Sequence, residues 1–332
     1  MLSERPVIIK DHYIKSNTFQ TDNQTQQLKM RHSLLFIFIA SLIITFAFTA
    51  CGDMEESPTV TTPAEKPMRV LSFNIRFDNP NDGPDAWPHR KDFVTDLIRF
   101  HKIDLVGTQE GLVHQLEEME EMMPGFAWVG VGRDDGGREG EFSAIFYDTG
   151  RFELIEEDTF WLSDNPQEPG SIGWDAAITR VATWARFIDL ENNRRFFVIN
   201  THFDHIGQEA RVNSAGLIIE KVTELAGDDP IVVMGDLNVT EENEAYTIFA
   251  DPDSRPSDLE LFDGFYHSKH GHYGPTSTWN AFREIYPDRR IDYIFTDAAF
   301  TFLEHGILAD IRDGHFPSDH LPVLAEIKFR NE

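Results

Sequence analysis

The chain of 332 residues contains a single cysteine, Cys51, and this scarcity excludes several kinds of protein. One cysteine can form no disulfide within the chain, and it has no second thiolate with which to build a cysteine-rich zinc site. Residues 53–66, which follow it, are rich in Glu, Thr, Pro and Ser, a composition that predicts a tether rather than a folded element. We therefore do not expect a catalytic thiol at Cys51.

Basic residues are also few, at 29 against 57 acidic ones, for a net charge of -28. Residues 1–50 hold five basic and three acidic residues, which leaves -30 for the rest of the chain. Such a domain repels polyanions at long range, and non-specific binding of nucleic acid depends on basic contacts. The charge disfavours a nucleic-acid partner, although a local basic groove or a bridging metal would still permit one. Nothing in the sequence indicates a protein partner.

Long uncharged runs are represented by one stretch, Leu34–Ala50, of seventeen residues. Lys29 and Arg31 precede it and Cys51 follows it, which is the order of a signal peptide. A membrane anchor helix is the alternative, but the stretch is at the short end of the roughly 17–25 residues that a span needs. We interpret residues 1–50 as an N-terminal extension and signal peptide, in which Met30 is a possible true start.

The tetrapeptide Phe48-Thr-Ala-Cys51 resembles a bacterial lipobox, with phenylalanine where leucine is usual. This resemblance implies that Cys51 is lipidated after cleavage. We therefore predict a tether over residues 51–66, a single folded domain over residues 67–332, and an exported bacterial protein that a lipid anchors on the periplasmic or surface side of the cell envelope.

Within the folded part, apolar patterning alternates between the strand and helix periods, which predicts an α/β fold. The predicted strands lie near residues 69–77, 103–110, 126–132, 142–147, 160–163, 196–204, 231–234, 289–295 and 323–329. The predicted helices lie near residues 89–101, 113–123, 208–225 and 241–249.

The most informative stretch is Ile231–Asn238, an apolar β-branched run that ends at Gly235 and then presents Asp236 and Asn238. A side-chain period of two places Asp236 and Asn238 on the same side just beyond the strand. There they could orient a water molecule and a phosphate oxygen. The alternative is a strand followed by an ordinary Asx turn.

Other predicted strands end in polar groups of the same kind. These polar residues are Asn74, Glu110, His202, Asp292, Asp319 and His320. Asn74 alone would be read as solvent-facing, and Asp292 between apolar neighbours requires a positive partner, for which His320 is the candidate. Carboxylate and amide oxygens without thiolates favour a hard cation such as Mg²⁺ or Mn²⁺, and histidines beside them can move protons near neutral pH. The chemistry that this set suits is metal-assisted attack of water on a phosphoester.

Residues 161–186 are the most aromatic part of the chain. We interpret them as a specificity loop in which Arg180 reaches a phosphate and Trp174 covers the substrate; a surface loop pinned by buried tryptophans is the alternative. His267, His270 and His272 crowd another loop, and because no cysteine or acid shares their spacing, we expect a polar loop there rather than a zinc site.

Six motifs in order resemble those of the endonuclease/exonuclease/phosphatase superfamily. They are Leu71–Arg76, Gln109–Glu110, Asn200–Asp204, Gly235–Asn238, Ile291–Tyr293 and Ser318–Leu321. The match runs from about residue 69 to residue 328. It implies a four-layer α/β sandwich, in which two packed mixed β-sheets are flanked by helices.

The same resemblance implies a role for each site residue. Asn74, Glu110 and Asp319 would hold the metal. Asp236 would align or deprotonate the water, and Asn238 would orient the phosphate. His202 and His320 would stabilise the charge of the transition state, with Asp292 fixing the imidazole of His320.

Two departures narrow the subfamily. Abasic-site endonucleases carry an acid at the position of Arg76, and inositol-polyphosphate 5-phosphatases carry a Cys-Asp-Arg signature that Arg290-Ile-Asp-Tyr293 lacks. We therefore expect a Mg²⁺-dependent phosphodiesterase or phosphatase that acts outside the cytoplasm on a small or lipid-linked phosphoester, with Arg76 as a further substrate-binding residue. The alternative is a secreted scavenging nuclease.

Overall fold

The computed structural model describes residues 66–255 and 257–330, in which strands and helices alternate. The strands are β1 (Met68–Asn74), β2 (Leu105–Gln109), β3 (Gly111–Leu112), β4 (Phe126–Val129), β5 (Glu141–Phe142), β6 (Ile145–Asp148), β7 (Phe152–Trp161), β8 (Val181–Asp189), β9 (Arg194–His202), β10 (Ile231–Asp236), β11 (Phe262–Asp263), β12 (His272–Tyr273), β13 (Asp292–Thr296), β14 (Phe300–Ile307) and β15 (Val323–Phe329). The helices are α1 (Trp87–Phe100), α2 (Val113–Met122), α3 (Gln208–Ala226), α4 (Glu244–Ala250) and α5 (Gly264–His267), with short 3-10 helices at Pro80–Asp85 and Pro252–Ser254.

The predictions for the N-terminal region, including the signal peptide, lipidated Cys51 and almost all of the tether, lie outside the described residues. Within residues 66–255 and 257–330, no helix combines the length and the apolar character that crossing a membrane requires.

Two mixed sheets form the centre of the fold. One has the strand order β12-β14-β15-β1-β2-β6-β4, and the other has the order β11-β13-β10-β9-β8-β7. β1 and β2 are parallel in the first sheet, β9 and β10 are parallel in the second, and each parallel pair has antiparallel neighbours. β3 and β5 form a separate two-stranded ribbon.

Apolar side chains fill three successive interfaces between layers. Val70 and Leu105 of the first sheet pack with Val198 and Met234 of the second in the layer between the sheets. On the outer faces, the first sheet packs on α1 and α2, and the second packs on α3 and α4. The predicted four-layer α/β sandwich of two packed mixed sheets flanked by helices is therefore confirmed.

Residues 69–77 alternate, with Leu71 and Phe73 on one face and Ser72 and Asn74 on the other, and this pattern predicts that only one face of the strand lies in the core. The structure corrects this prediction for β1. Ser72 and Asn74, on the face predicted to be polar, are fully buried. The second sheet covers that face, and polar side chains there must find hydrogen bonds inside the protein.

The aromatic stretch at residues 161–186 is less irregular than predicted, because β7 runs up to Trp161 and β8 begins at Val181. Trp184 lies in β8 and is buried. Glu156, Glu157 and Asp158 are exposed acids in succession, so β7 lacks the alternation of apolar and polar residues that predicts a strand. β7 is an edge strand, and charge on an edge strand prevents pairing with another chain.

A buried polar contact ties the two sheets together beneath their shared edge. Asn200 of β9 donates from Nδ2 to the carbonyl oxygens of Thr108 and Ala144 at 2.8 and 2.9 Å. Its Oδ1 accepts from Nε2 of Gln109 in β2 at 2.7 Å. Since a slipped register would leave these buried groups unpaired, the contact fixes how the sheets sit on each other.

Candidate active site

The predicted site residues lie where the carboxyl ends of the parallel pairs β1–β2 and β9–β10 meet. Asn74 ends β1 and is paired with Gln109 of β2. In the other sheet, Asp236 ends β10 and is paired with His202 on one side and with Asp292 on the other. Asp292 can join this edge because β13 is antiparallel to β10 and begins there.

The backbone at this edge is strained in a way that sequence patterning does not show. Arg76, Glu110 and Asn238 have φ values of 57°, 64° and 51°. Each such left-handed residue costs of the order of 1–3 kcal/mol, and such residues cluster at functional sites. Gly235 has a φ of 153°, and a Cβ atom there would overlap the carbonyl oxygen of Thr201 in the neighbouring strand, so this position requires glycine.

Asp236 is the centre of the hydrogen-bond network. Nδ2 of Asn74 donates to Oδ2 of Asp236 and to Oε1 of Glu110, at 3.0 Å in both cases. The backbone N–H of Asn238 donates to the other oxygen, Oδ1, at 2.9 Å. Burial, reinforced by the neighbouring Asp292 carboxylate, raises the pKa of Asp236 to about 7. A carboxylate with such a pKa is suited to exchange protons near neutral pH.

His320 and Asp292 form the contact expected from the sequence, with Nδ1 of His320 at 2.9 Å from Oδ2 of Asp292. Burial alone would lower the pKa of His320, but the carboxylates of Asp292 and Asp236 raise it well above its usual value. The imidazolium directs its Nε2 toward Asp236, at 3.8 Å from Oδ2. This side of the site therefore carries a fixed positive charge.

His202 has the opposite character. Burial, with help from the guanidinium groups of Arg180 and Arg133, lowers its pKa well below the usual value. Its Nε2 lies 3.0 Å from Nδ2 of Asn238, whose N–H group donates. His202 is thus a neutral ring that holds Asn238, whereas the charged ring is His320.

Two further carboxylates, Glu110 and Asp319, face the same space with Arg76 between them. Arg76 Nη1 is 3.7 Å from Glu110 and its Nε is 3.8 Å from Asp319, while Asp82 anchors the guanidinium at 3.0 Å. Because carboxylate oxygens and an amide are the donors that a hard divalent cation prefers, Asn74, Glu110 and Asp319 fit the predicted metal.

Asp236, Asp292 and His320 form a second group close enough to share an ion, since their ligand atoms lie within 4.8 Å of one another. His320 already donates to Asp292, and its positive charge opposes a cation. In the first set the nearest cation, Arg76, lies 3.7 Å from Glu110 and 3.8 Å from Asp319, beyond hydrogen-bond distance. We therefore favour the first set.

These side chains surround a pocket of about 360 Å³. Of the predicted residues, those that line it are Arg76, Glu110, Arg180, His202, Asp236, Asn238, Asp319 and His320. Asn74 and Asp292 are buried behind it and bond to Asp236 and His320. Clefts of 680 and 880 Å³ lie elsewhere, but they bring together none of the predicted residues.

Trp174 is not among the residues that line this pocket; the indole found there is that of Trp279, together with Ile178. The interpretation of Trp174 as a substrate cover is therefore not supported by its position. His272, predicted to lie in a polar loop, belongs to β12 and contacts His305, with their Nδ1 atoms 2.9 Å apart.

Sequence reasoning missed Glu141 and Arg90. Glu141 lines the pocket because β5 pairs with β3, although α2, β4 and a glycine-rich loop separate them in the chain; such a long-range contact has no periodic signal. Arg90, in α1, is 3% exposed and donates to the carbonyl oxygens of Ile75, Arg76, Asp85 and Pro317. It joins the end of β1 to the segment before Asp319.

The fold and the site together define the class of protein: a phosphoester hydrolase with a four-layer α/β sandwich fold, whose acids, amides and histidines meet at the shared edge of two sheets. The chain belongs to the Endonuclease/Exonuclease/phosphatase family, whose model matches residues 71–320. Members of this family are metal-dependent.

Solved structures of bacterial proteins are similar over most of the chain. An endonuclease/exonuclease/phosphatase from Bacteroides vulgatus is 37% identical, with a TM-score of 0.75 over 80% of this chain and 100% of that one. A mannosyl-6-phosphatase from Bacteroides thetaiotaomicron is also 37% identical, with a TM-score of 0.73 over 79% and 100% of the two chains. The human Nocturnin catalytic domain shares the fold at 19% identity, with a TM-score of 0.63 over 80% and 94%.

Proposed function

We propose that this protein is a divalent-metal-dependent hydrolase of a small phosphoester. The observation that carries the proposal is the convergence of Asp236, Asn238 and His320 on one pocket that also exposes Glu110 and Asp319. A possible base, an amide, an imidazolium and two acids are the groups that metal-assisted attack of water on phosphorus requires.

Asn74, Glu110 and Asp319 would hold the ion, and Mg²⁺ or Mn²⁺ is the cation that suits their oxygens. When bound, the ion supplies neutralisation of the negative charge on the phosphate. Arg76 lies within 4 Å of both carboxylates. It offsets part of their negative charge. We expect its guanidinium also to contact a phosphate oxygen of the substrate.

The residues of the chain divide the remaining work. Asp236 accepts a proton from the water whose oxygen attacks phosphorus, and Asn74 and Asn238 hold its carboxylate in place. The bond between phosphorus and the ester oxygen breaks, the leaving oxygen takes up a proton from solvent to give an alcohol, and Asp236 later returns its proton to solvent. His320, positioned by Asp292, donates a hydrogen bond to the developing charge.

Three observations favour a small substrate. The pocket volume of about 360 Å³ suits a compact molecule. A protein that is 37% identical is a mannosyl-6-phosphatase, which supports a phosphorylated sugar or a molecule of similar size. The net charge of -28 opposes a polyanion. A nuclease remains the second candidate, because the family includes nucleases and a metal could bridge to a nucleic-acid backbone.

We further propose that the protein acts outside the cytoplasm, on the periplasmic or surface side of a bacterial envelope. Support comes from the order of Lys29, Arg31, Leu34–Ala50 and Cys51 in the sequence. Expression of a Cys51→Ser variant tests the anchor: we expect its release from the membrane fraction, and a variant that stays membrane-bound would refute lipidation.

A substrate panel tests the enzymatic proposal. The purified protein should hydrolyse sugar phosphates or nitrophenyl phosphates in Mg²⁺ and lose this activity in EDTA. Turnover of plasmid DNA at rates comparable to the best small substrate would favour the nuclease. An absence of metal-dependent turnover across phosphate monoesters, diesters and DNA would contradict the hydrolase itself.

A further inference from the structure

Arg180 is a buried cation whose hydrogen-bonding capacity is mostly unused. Its residue is 4% exposed, and it lies at the wall of the active-site pocket. Two of its donor atoms, Nε and Nη1, are buried and have no acceptor among the described residues. The third, Nη2, lies 3.1 Å from Nδ1 of His205. The His205 side chain is 49% exposed, so a ligand can displace it.

The carboxylates around Arg180 are occupied by other groups. Asp204 lies 3.7 Å from Nε, but its oxygens accept hydrogen bonds from the backbone N–H groups of Ala177, Ile206 and Gly207 at 3.1, 2.9 and 2.7 Å. Glu141 is held by two hydrogen bonds from Arg133, at 2.6 and 2.9 Å. Neither acid accepts a hydrogen bond from Arg180, so the guanidinium retains donors for a ligand.

The backbone at Arg180 is held in place without a ligand, and burial confines its side chain. Its carbonyl oxygen accepts from the backbone N–H of Leu162 at 2.8 Å, at the start of the β7–β8 hairpin. A buried, pre-positioned guanidinium without acceptors is costly unless an anion satisfies it, and a phosphate oxygen is the acceptor that matches its geometry.

We propose that Arg180 binds a non-bridging oxygen of the reacting phosphate and thereby selects phosphomonoester dianions over phosphodiesters. This rests on the proposed function, and it deepens that function by naming the substrate class. A phosphate bound between His320 and the acids that would hold the metal would have a further oxygen free to meet Arg180, which lines the same pocket.

In a diester this position holds an ester oxygen and its carbon substituent. The substituent brings no charge, and it would press an apolar group against a buried guanidinium whose donors then stay unpaired. The site thus favours monoesters because their third oxygen pairs with Arg180. It disfavours diesters because they leave the Arg180 charge without an acceptor, and the two effects together give strong discrimination.

Two substrates with the same leaving group test the proposal. Rates for 4-nitrophenyl phosphate and methyl 4-nitrophenyl phosphate are compared in Mg²⁺ at about pH 8, where the monoester is a dianion. We expect kcat/KM to favour the monoester in the wild-type protein. Arg180→Gln should lower kcat/KM for the monoester by about 10- to 100-fold, as for loss of a charged hydrogen bond, and that for the diester by less than about threefold.

Arg195→Gln is the matched control, because it removes the same charge from a side chain that is 61% exposed in β9; it should leave the ratio unchanged. Arg180→Lys keeps the charge without the planar fork, and it should give an intermediate ratio. Thermal unfolding of each variant establishes that it is folded. A wild-type preference for the diester, or an equal loss on both substrates in Arg180→Gln, would overturn the proposal.

Binding distinguishes this proposal from the proposed function. Calorimetric titration of the Mg²⁺-loaded protein with inorganic phosphate and with dimethyl phosphate should show tighter binding of phosphate, and Arg180→Gln should remove most of that difference. If the wild-type protein hydrolyses neither these two substrates nor any other member of the panel above, the proposed function fails, and the titration alone decides the role of Arg180. Equal affinities for the two anions in the wild-type protein would overturn it.

Discussion

Nδ1 of His320 lies 2.9 Å from Oδ2 of Asp292, and the other oxygen of Asp292 is buried without a hydrogen-bond partner among the described residues. The pair is therefore built around a single contact. We expect this contact to keep the His320 ring charged and turned toward Asp236, so its removal should lower both activity and stability.

The first prediction concerns this contact. Asp292→Asn should lower kcat by about 10²- to 10⁴-fold, the range for a group that orients or supplies a catalytic proton. The free energy of unfolding should fall by up to about 3–5 kcal/mol, since the substitution removes one partner of a buried ion pair and leaves the His320 ring with only the Asp236 carboxylate at 3.8 Å. Steady-state rates and urea denaturation measure the two effects. A large loss of stability with unchanged kcat would show that the pair is purely structural.

The second prediction concerns the metal. Glu110→Gln should weaken Mg²⁺ binding by at least about tenfold, which is the lower end of what groups that merely orient ligands contribute. Isothermal titration calorimetry measures the affinity directly, without an activity assay. Glu121→Gln, on the exposed side of α2, is the control and should bind Mg²⁺ as the wild type does. Equal affinities for the two variants would remove Glu110 from the metal site.

The third prediction concerns Arg90, which donates to four backbone carbonyl oxygens around the end of β1. A lysine cannot reach all four acceptors, so Arg90→Lys should destabilise the protein by about 2–4 kcal/mol through unpaired buried groups. Chemical denaturation tests this. We expect no such loss for Arg99→Lys, an exposed arginine in the last turn of α1.

The fourth prediction concerns the contact between the sheets. Asn200→Ala leaves Nε2 of Gln109 and the carbonyl oxygens of Thr108 and Ala144 without this partner. We expect a loss of about 2–3 kcal/mol, and a reduced kcat because the two halves of the site are no longer held in register. Denaturation and steady-state kinetics measure the two losses. A destabilised variant with wild-type kcat would show that other contacts set the register.

The fifth prediction concerns acid stability. Burial lowers the pKa of His305 from 6.5 to about 3, so the folded state holds this ring neutral. The stabilisation is complete above pH 6.5 and is lost as the pH falls toward about 3, because the unfolded chain then binds a proton that the folded chain does not. When the pH is lowered from about 6.5 to 5, the free energy of unfolding should fall by about 1–2 kcal/mol less in His305→Leu than in the wild type.

His270→Leu is the control for this experiment, since the His270 side chain is 70% exposed. Its stability should follow the wild-type pH dependence. Parallel curves for His305→Leu and the wild type would contradict the assignment of the acid sensitivity to the buried ring.

The site was predictable from sequence wherever a polar residue interrupts an apolar strand. Asp292 stands between Ile291 and Tyr293, so the need for a partner could be deduced, and the contact with His320 is present. Asp236 and Asn238 follow Ile231–Met234 at a spacing that a strand places on one side. At these positions a polar residue breaks the apolar pattern, and burying it is costly, so both signals indicate a functional residue. The resemblance to a known family supplied the role of each residue.

The remaining features depend on long-range packing. Glu141 reaches the pocket only because a two-residue ribbon forms with β3. Trp279 replaces Trp174 at the pocket because residue 279 bridges to His320. β7 was shortened in the prediction because its exposed acids obscure the alternation, and Ser72 and Asn74 looked solvent-facing because the covering sheet lies far away in sequence.

The order of the strands also governs when this site can exist during synthesis. β1 lies between β2 and β15, and Ser318 Oγ donates to the carbonyl oxygen of Asn74, which lies 244 residues earlier in the chain. The pocket therefore cannot form until synthesis has passed Ser318 and β15. A nascent chain that ends before Ser318 lacks Asp319, His320 and β15, so it can have no activity at this site.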